Sequence, residues 1–242
     1  MAEADAATIT RTLPEWSLTF IEPTSDRMTV LPAHWQPIAL ADRAEVRYRV
    51  ARSLWNQEFL AFIPGFATAM DSHCIDVRAC ITDGCAALVY VMADQNGGLV
   101  SWVGYDSRTF GPEPMFWPCF PEPLRAFLRE VHAGFVSGSD GTSFGLARPI
   151  HMTTLAEFAE FPEGIPGWAE DEISSTRLLR VTSDGGNLHY CLSPELPPGE
   201  IGLVYEGEVD SGVCGAELDE LMVSRFAQST RMPGADGQER ER

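Results

Sequence analysis

Cys74-Ile75-Asp76-Val77-Arg78-Ala79-Cys80-Ile81, then Asp83-Gly84, then Ala86-Ala87-Leu88-Val89-Tyr90-Val91-Met92, then Gln95-Asn96-Gly97-Gly98, then Leu99-Val100-Ser101-Trp102-Val103-Gly104-Tyr105: this stretch decides the fold. Three runs rich in β-branched, aromatic and other apolar residues are separated by short turn sequences. Asp-Gly between apolar runs is a two-residue hairpin signal, because both central positions of that turn need positive φ. The stretch predicts three antiparallel strands in a meander.

Working outward toward the N-terminus, residues 42–62 predict a helix. Asp42 is its expected N-cap, Val46, Val50, Leu54 and the Trp55/Phe59 pair recur at helical spacing, and Pro64-Gly65 is expected to end it. Residues 16–21 and 28–31 read as strands, and the small, polar residues 1–12 as disordered. Toward the C-terminus, Gly111-Pro112-Glu113-Pro114-Met115-Phe116-Trp117-Pro118 is a Pro-rich link and the best candidate boundary. Residues 121–133 predict an amphipathic helix with Leu124, Phe127, Leu128 and Val131 on one face and His132 beside its C-terminal carbonyls. Residues 136–142 form a Gly/Ser-rich loop, and Thr154 with Glu157 fits a capping box opening another helix. Strands are expected at 177–181, 188–192 and 201–205, with Asp184-Gly185-Gly186-Asn187 as the turn between the first two. A helix at 216–226 and a polar tail at 229–242 close the chain, and no internal repeat is present.

The chain has no lysine: all 17 bases are Arg, against 35 acids, for a formal charge of −18. Schiff-base, P-loop and kinase lysines are thereby excluded. The acidic excess argues against nucleic-acid binding, which needs bases to displace phosphate counterions, and favours a cationic partner. Arg in place of Lys, with abundant Ala, Gly and Pro, reads as a coding bias, but that bias does not explain acids outnumbering bases two to one. The six cysteines form no C-x-x-C pair and read as reduced core residues of a cytoplasmic protein, a disulfide among Cys74, Cys80 and Cys85 standing as the alternative. Residues 1–10 have neither the basic nor the apolar segment of a signal peptide, and no apolar run is long enough to span a membrane.

The second half carries four short motifs in order: Phe120-Pro121-Glu122-Pro123-Leu124-Arg125-Ala126-Phe127-Leu128 with Val131-His132-Ala133-Gly134-Phe135; Phe144-Gly145-Leu146 with Thr154-Leu155-Ala156-Glu157-Phe158; Val181-Thr182-Ser183-Asp184-Gly185-Gly186-Asn187-Leu188-His189-Tyr190-Cys191-Leu192; and Gly202-Leu203-Val204-Tyr205 before the closing helix. Together they resemble the SUKH superfamily of bacterial immunity proteins and cell-wall regulators. Ala133 departs from the acid or Asn more usual there, and Glu206-Gly207-Glu208-Val209-Asp210 departs from the family's aromatic-acidic pattern. The resemblance implies an α+β fold, a mostly antiparallel twisted sheet with helices packed on one face, over residues 119–228. Residues 1–118 form an additional α+β region, either a separate domain or an extension of the same sheet. The implied function is that of a non-catalytic immunity protein neutralising a cognate toxin domain, with a regulatory or scaffold module of the same fold as the alternative.

The acids supply the candidate partner surface. Residues 155–220 hold fifteen of them against only Arg177 and Arg180. Trp168 beside Glu170, Asp171 and Glu172 has the composition of a hot spot for a basic surface, an aromatic anchor among carboxylates. Asp184 lies in the neighbouring turn, and Glu206, Glu208 and Asp210 alternate along an extended segment and could share one face. No catalytic residue, cofactor or metal site is expected: no G-x-S-x-G is present, no His pair has ligand spacing, and only Asp71, His73 and Cys74 form a local donor cluster. The expected partner is a toxin protein with a basic contact face, with neither nucleic acid nor membrane involved.

Overall fold

Asp83 and Gly84 take φ of 50° and 72°, closing the predicted two-residue turn and pairing Thr82 with Cys85. The computed structural model describes residues 5–93, 98–169 and 172–227. Residues 95–97 of the predicted turn over 95–98, and the tail at 229–242, lie outside the described residues. In chain order the elements are α1 (Ala6–Thr12), β1 (Thr19–Phe20), α2 (Gln36–Leu40), α3 (Ala44–Arg52), α4 (Gln57–Phe62), α5 (Pro64–His73), β2 (Cys74–Thr82), β3 (Cys85–Ala93) and β4 (Leu99–Asp106). Then come α6 (Glu122–Ala126), β5 (His132–Val136), α7 (Leu155–Phe158), β6 (Leu179–Ser183), β7 (His189–Leu192), β8 (Glu200–Tyr205), β9 (Glu208–Val213) and α8 (Cys214–Ala227). The fold is α+β, with one antiparallel sheet ordered β1-β2-β3-β4-β5 and a second ordered β6-β7-β8-β9.

The first sheet is covered on both faces, which is why β3 is a continuous apolar run rather than an alternating one. Val77, Leu88, Tyr90 and Trp102 face the main core with Trp35, Trp55, Phe59 and Phe66 from the helical segments, while Val89, Val91, Val103 and Tyr105 pack against Ile9, Leu13 and Trp16. Residues 5–12 are therefore not disordered as expected. Asp5 caps α1 through the Thr8 amide at 2.7 Å, and Ile9 and Leu13, one helical turn apart, are buried.

Four further expectations are corrected. The helix over 42–62 is two helices broken at residues 53–56, and Arg43 rather than Asp42 precedes the first. Pro64-Gly65 opens α5 instead of closing its predecessor, since Pro fits the first turn of a helix, where no N–H is needed. Residues 28–30 belong to a 3-10 turn (Asp26–Val30) capped by Ser25, and Leu31 follows it as the extended C-cap. The helix beginning after Pro121 ends in a π-helical turn (Phe127–Val131), and His132 starts β5.

Residues 144–147 join the sheets. Phe135 and Leu146 exchange backbone hydrogen bonds of 2.8 and 2.7 Å, while the Phe144 and Ala147 amides donate to Ser183 and Val181 of β6 at 2.9 and 3.0 Å. One apolar cluster runs from Ile21 to Met222 and takes residues from both sheets. The pairing of β5 with β4 crosses the Pro-rich link at 111–118. All six cysteines are free thiols, and no described helix is long and apolar enough to cross a membrane.

Candidate binding cleft

The capping box at Thr154 forms as predicted: its hydroxyl accepts from the Glu157 amide at 3.1 Å, and the Glu157 carboxylate accepts from the Thr154 amide at 2.9 Å. This fixes the short α7, which buries Leu155 and Ala156 and turns Phe158 outward, 49% exposed. Arg180 lies over the Phe158 ring at 4.2 Å, and His189 meets it edge-on at 5.3 Å. Burial and the neighbouring Arg180 push the His189 pKa down, so its imidazole is neutral at pH 7 and adds no positive charge here.

After α7 the chain loops back over the second sheet. Its fold-back is held by the Ile165 amide on the hydroxyl of buried Ser175 at 3.1 Å, and by the Trp168 indole N–H on the Ile173 carbonyl at 3.0 Å. Trp168 is half-buried against a small apolar cluster of Leu155, Leu178, Cys191 and Val204. Opposite it, Glu206 and Gly207 take φ of 49° and 91° and make the tight turn between β8 and β9, pairing Tyr205 with Glu208. A cleft of about 520 Å³ opens between these elements, with Phe158 and Trp168 on its walls and Glu172, Glu206 and Glu208 on its rim.

The fold thus gathers Trp168, Glu172, Glu206 and Glu208 from segments 34 or more residues apart. It does not bring in the other two described candidates. Asp184 accepts from the Gly186 and Leu188 amides at 2.8 and 3.3 Å and so shapes its own turn, while Asp210 is exposed on β9 outside the cleft lining. Glu206 sits in a turn, so only Glu208 and Asp210 share a strand face as expected. Glu170 and Asp171 lie outside the described residues. Sequence reasoning missed Phe158 and underused His189: Phe158 follows a capping-box Glu in what reads as an ordinary amphipathic turn, and only the folding-back of loop 159–173 makes it a wall.

The donor cluster around His73 points three ways. Asp71 accepts from Arg52 at 2.7 Å and from Tyr48, the Cys74 thiol contacts the Asp76 carbonyl at 3.4 Å, and the His73 ring meets Phe226 at a tilt, 4.7 Å between centroids. Burial pushes the Cys74 thiol pKa up, away from the thiolate a metal needs. Among the described residues no three His, Cys, Asp or Glu side chains meet as a metal site. Chemically, the cleft suits a flexible cation: aromatic walls for an aliphatic stem or a guanidinium face, and carboxylates for its charged head. Comparison of the chain with protein-family models, with curated proteins and with solved structures finds no match.

Proposed function

We propose that this chain is a non-catalytic immunity protein of the SUKH type, which stays in the cytoplasm and occludes a toxin domain through its acidic cleft. The observation that carries the reading is the convergence of Phe158 and Trp168 with Glu172, Glu206 and Glu208 on one cleft. An apolar anchor ringed by like charge is how a hot spot for an Arg or Lys side chain is built. The motif order over 119–228 supports the same reading, and the formal charge of −18 would steer a basic partner toward it.

The test is co-expression with the protein encoded next to this chain, followed by affinity purification at low and high salt. A stoichiometric complex that rescues growth from a lethal neighbour is the expected result. Absence of both complex and toxicity would move the reading to a regulatory or scaffold module.

Glu206→Arg with Glu208→Arg is expected to weaken that complex by at least about tenfold, mainly through slower association at low salt. Both side chains are exposed, so the melting temperature should stay near that of the parent. Unchanged association kinetics in the double variant would remove the cleft from the interface.

A further inference from the structure

Arginines of this chain find acids. Nine of those described lie within 4.0 Å of a carboxylate. Among the described residues Arg11, Arg27, Arg49, Arg148 and Arg225 do not. Arg27 and Arg49 are exposed and line no cleft described here. The other three line two clefts flanking loop 137–143. Their polar contacts are to neutral groups: Arg11 donates to the Thr8 hydroxyl at 2.8 Å, Arg148 reaches the Cys85 sulfur at 3.7 Å and Arg225 donates to Ser137. In a protein where acids outnumber bases two to one, three arginines around one loop without a carboxylate within 4.0 Å call for an anionic partner.

The two clefts differ in charge. The one holding Arg148, about 410 Å³, also holds Glu15 and Asp83. The other, about 560 Å³, holds Arg11 and Arg225 with a single acid, Asp140. That carboxylate is already engaged: it accepts from the Thr142 and Ser143 amides at 3.0 Å each and from both of their hydroxyls at 2.7 Å. Arg180, 3.8 Å away, offsets its charge.

Arg225 is half-buried near the end of α8. Its Nε–H donates to the hydroxyl of buried Ser137 at 3.2 Å, and its guanidinium lies 5.0 Å over the Phe144 ring. Among the described residues its other N–H groups have no acceptor. Burial alone sets the direction of its pKa, which is downward, with no acid acting against it. Leu13, Leu99 and Phe144 supply an apolar wall, and Ser139 an exposed hydroxyl.

We propose that this cleft binds a small organic anion, a carboxylate or phosphate group on Arg11 and Arg225 with its apolar body against Leu13, Leu99 and Phe144. The site is separate from the acidic cleft and stands whether or not that cleft meets a toxin. Against a net charge of −18, a preference for an anion over its neutral counterpart must come from local positive groups, which makes that preference diagnostic.

The experiment is calorimetric titration of the full chain with octanoate and with phenyl phosphate, each beside its uncharged counterpart, octanamide or phenol. Saturable binding of at least one anion is expected, at least tenfold tighter than its neutral counterpart; which anion binds decides between carboxylate and phosphate. Arg225→Gln should weaken that binding at least tenfold. Arg11→Gln, an exposed change that leaves the fold intact, should weaken it about threefold. Binding of neither anion, equal affinity for anion and neutral counterpart, or full affinity in Arg11→Gln and Arg225→Gln together would overturn the proposal.

Discussion

Replacing Asp76 with Ala is expected to cost about 3–5 kcal/mol and to lower the melting temperature by roughly 10 °C. Asp76 is fully buried at the start of the central sheet, and Arg47, reaching in from α3, is 6% exposed. The carboxylate accepts from Arg47 Nε and Nη2 at 2.7 and 2.8 Å, and from the Val77 amide at 2.7 Å. Arg47 Nη1 spends itself on the Ala41 and Asp42 carbonyls at 2.9 and 3.1 Å. Both carboxylate oxygens and four of the five guanidinium N–H groups are therefore engaged by these bonds, as a buried ion pair requires. Removing the carboxylate alone strands a guanidinium without countercharge in the core. Removing both charges together, as Arg47→Met with Asp76→Leu, takes away the desolvation cost along with the attraction, so the double variant should be more stable than Asp76→Ala. Denaturant unfolding of the parent, Arg47→Met, Asp76→Leu and the double variant measures the coupling. A coupling below about 0.5 kcal/mol, the ordinary scatter for independent sites, would mean that the pair does not act as a unit.

The same pair shows where sequence reading stops. Asp76 is buried because α3 brings Arg47 over it, and nothing local to the strand sequence announces that partner. What was legible was local: the Asp83-Gly84 turn, the Asp184-Gly185-Gly186-Asn187 turn, the Thr154/Glu157 capping box, and the apolar face of Leu124, Phe127, Leu128 and Val131. What was not legible depends on partners far away in the chain. Pro64-Gly65 reads as a stop because the group satisfying the first amides of α5 is Asp219 of α8, which accepts from Gly65 and Phe66 at 2.8 and 2.6 Å. The break at residues 53–56 follows Trp55, which is drawn into an aromatic cage with Tyr90, Phe127 and Phe135. For the candidate site, composition picked out Trp168, Glu172, Glu206 and Glu208 as chemically apt, while their proximity came from the fold-back of one loop onto the β8–β9 turn.

His132 was expected beside the C-terminal carbonyls of a helix, and its burial in a strand instead gives the chain a specific acid sensitivity. It is 1% exposed at the head of β5. The carbonyl of Tyr105 lies 3.2 Å from Nδ1, and the Tyr90 hydroxyl lies 2.9 Å from Nε2 and 3.1 Å from the Trp55 indole nitrogen. A carbonyl only accepts and an indole N–H only donates. Trp55 therefore donates to Tyr90 and Nδ1–H donates to Tyr105, and with the imidazole neutral Tyr90 donates to Nε2. Gly104 lies under the ring, where a Cβ would come within 2.6 Å of it. This arrangement requires a neutral imidazole. Burial is the dominant cause holding its pKa down to about 3, against an ordinary 6.5. Between those values the unfolded chain binds a proton that the folded chain refuses, so stability is full above about pH 6.5 and falls as the pH drops toward 3. The integrated loss is roughly 4–5 kcal/mol. Chemical denaturation of the parent and of His132→Phe at intervals from pH 7.5 to 4 isolates this contribution, because the carboxylates titrate alike in both. The variant should be less stable at pH 7.5, where the Tyr90 hydroxyl has lost its acceptor, and the gap should close or reverse by pH 4. Parallel curves would show that a buried neutral His132 does not govern the acid limb.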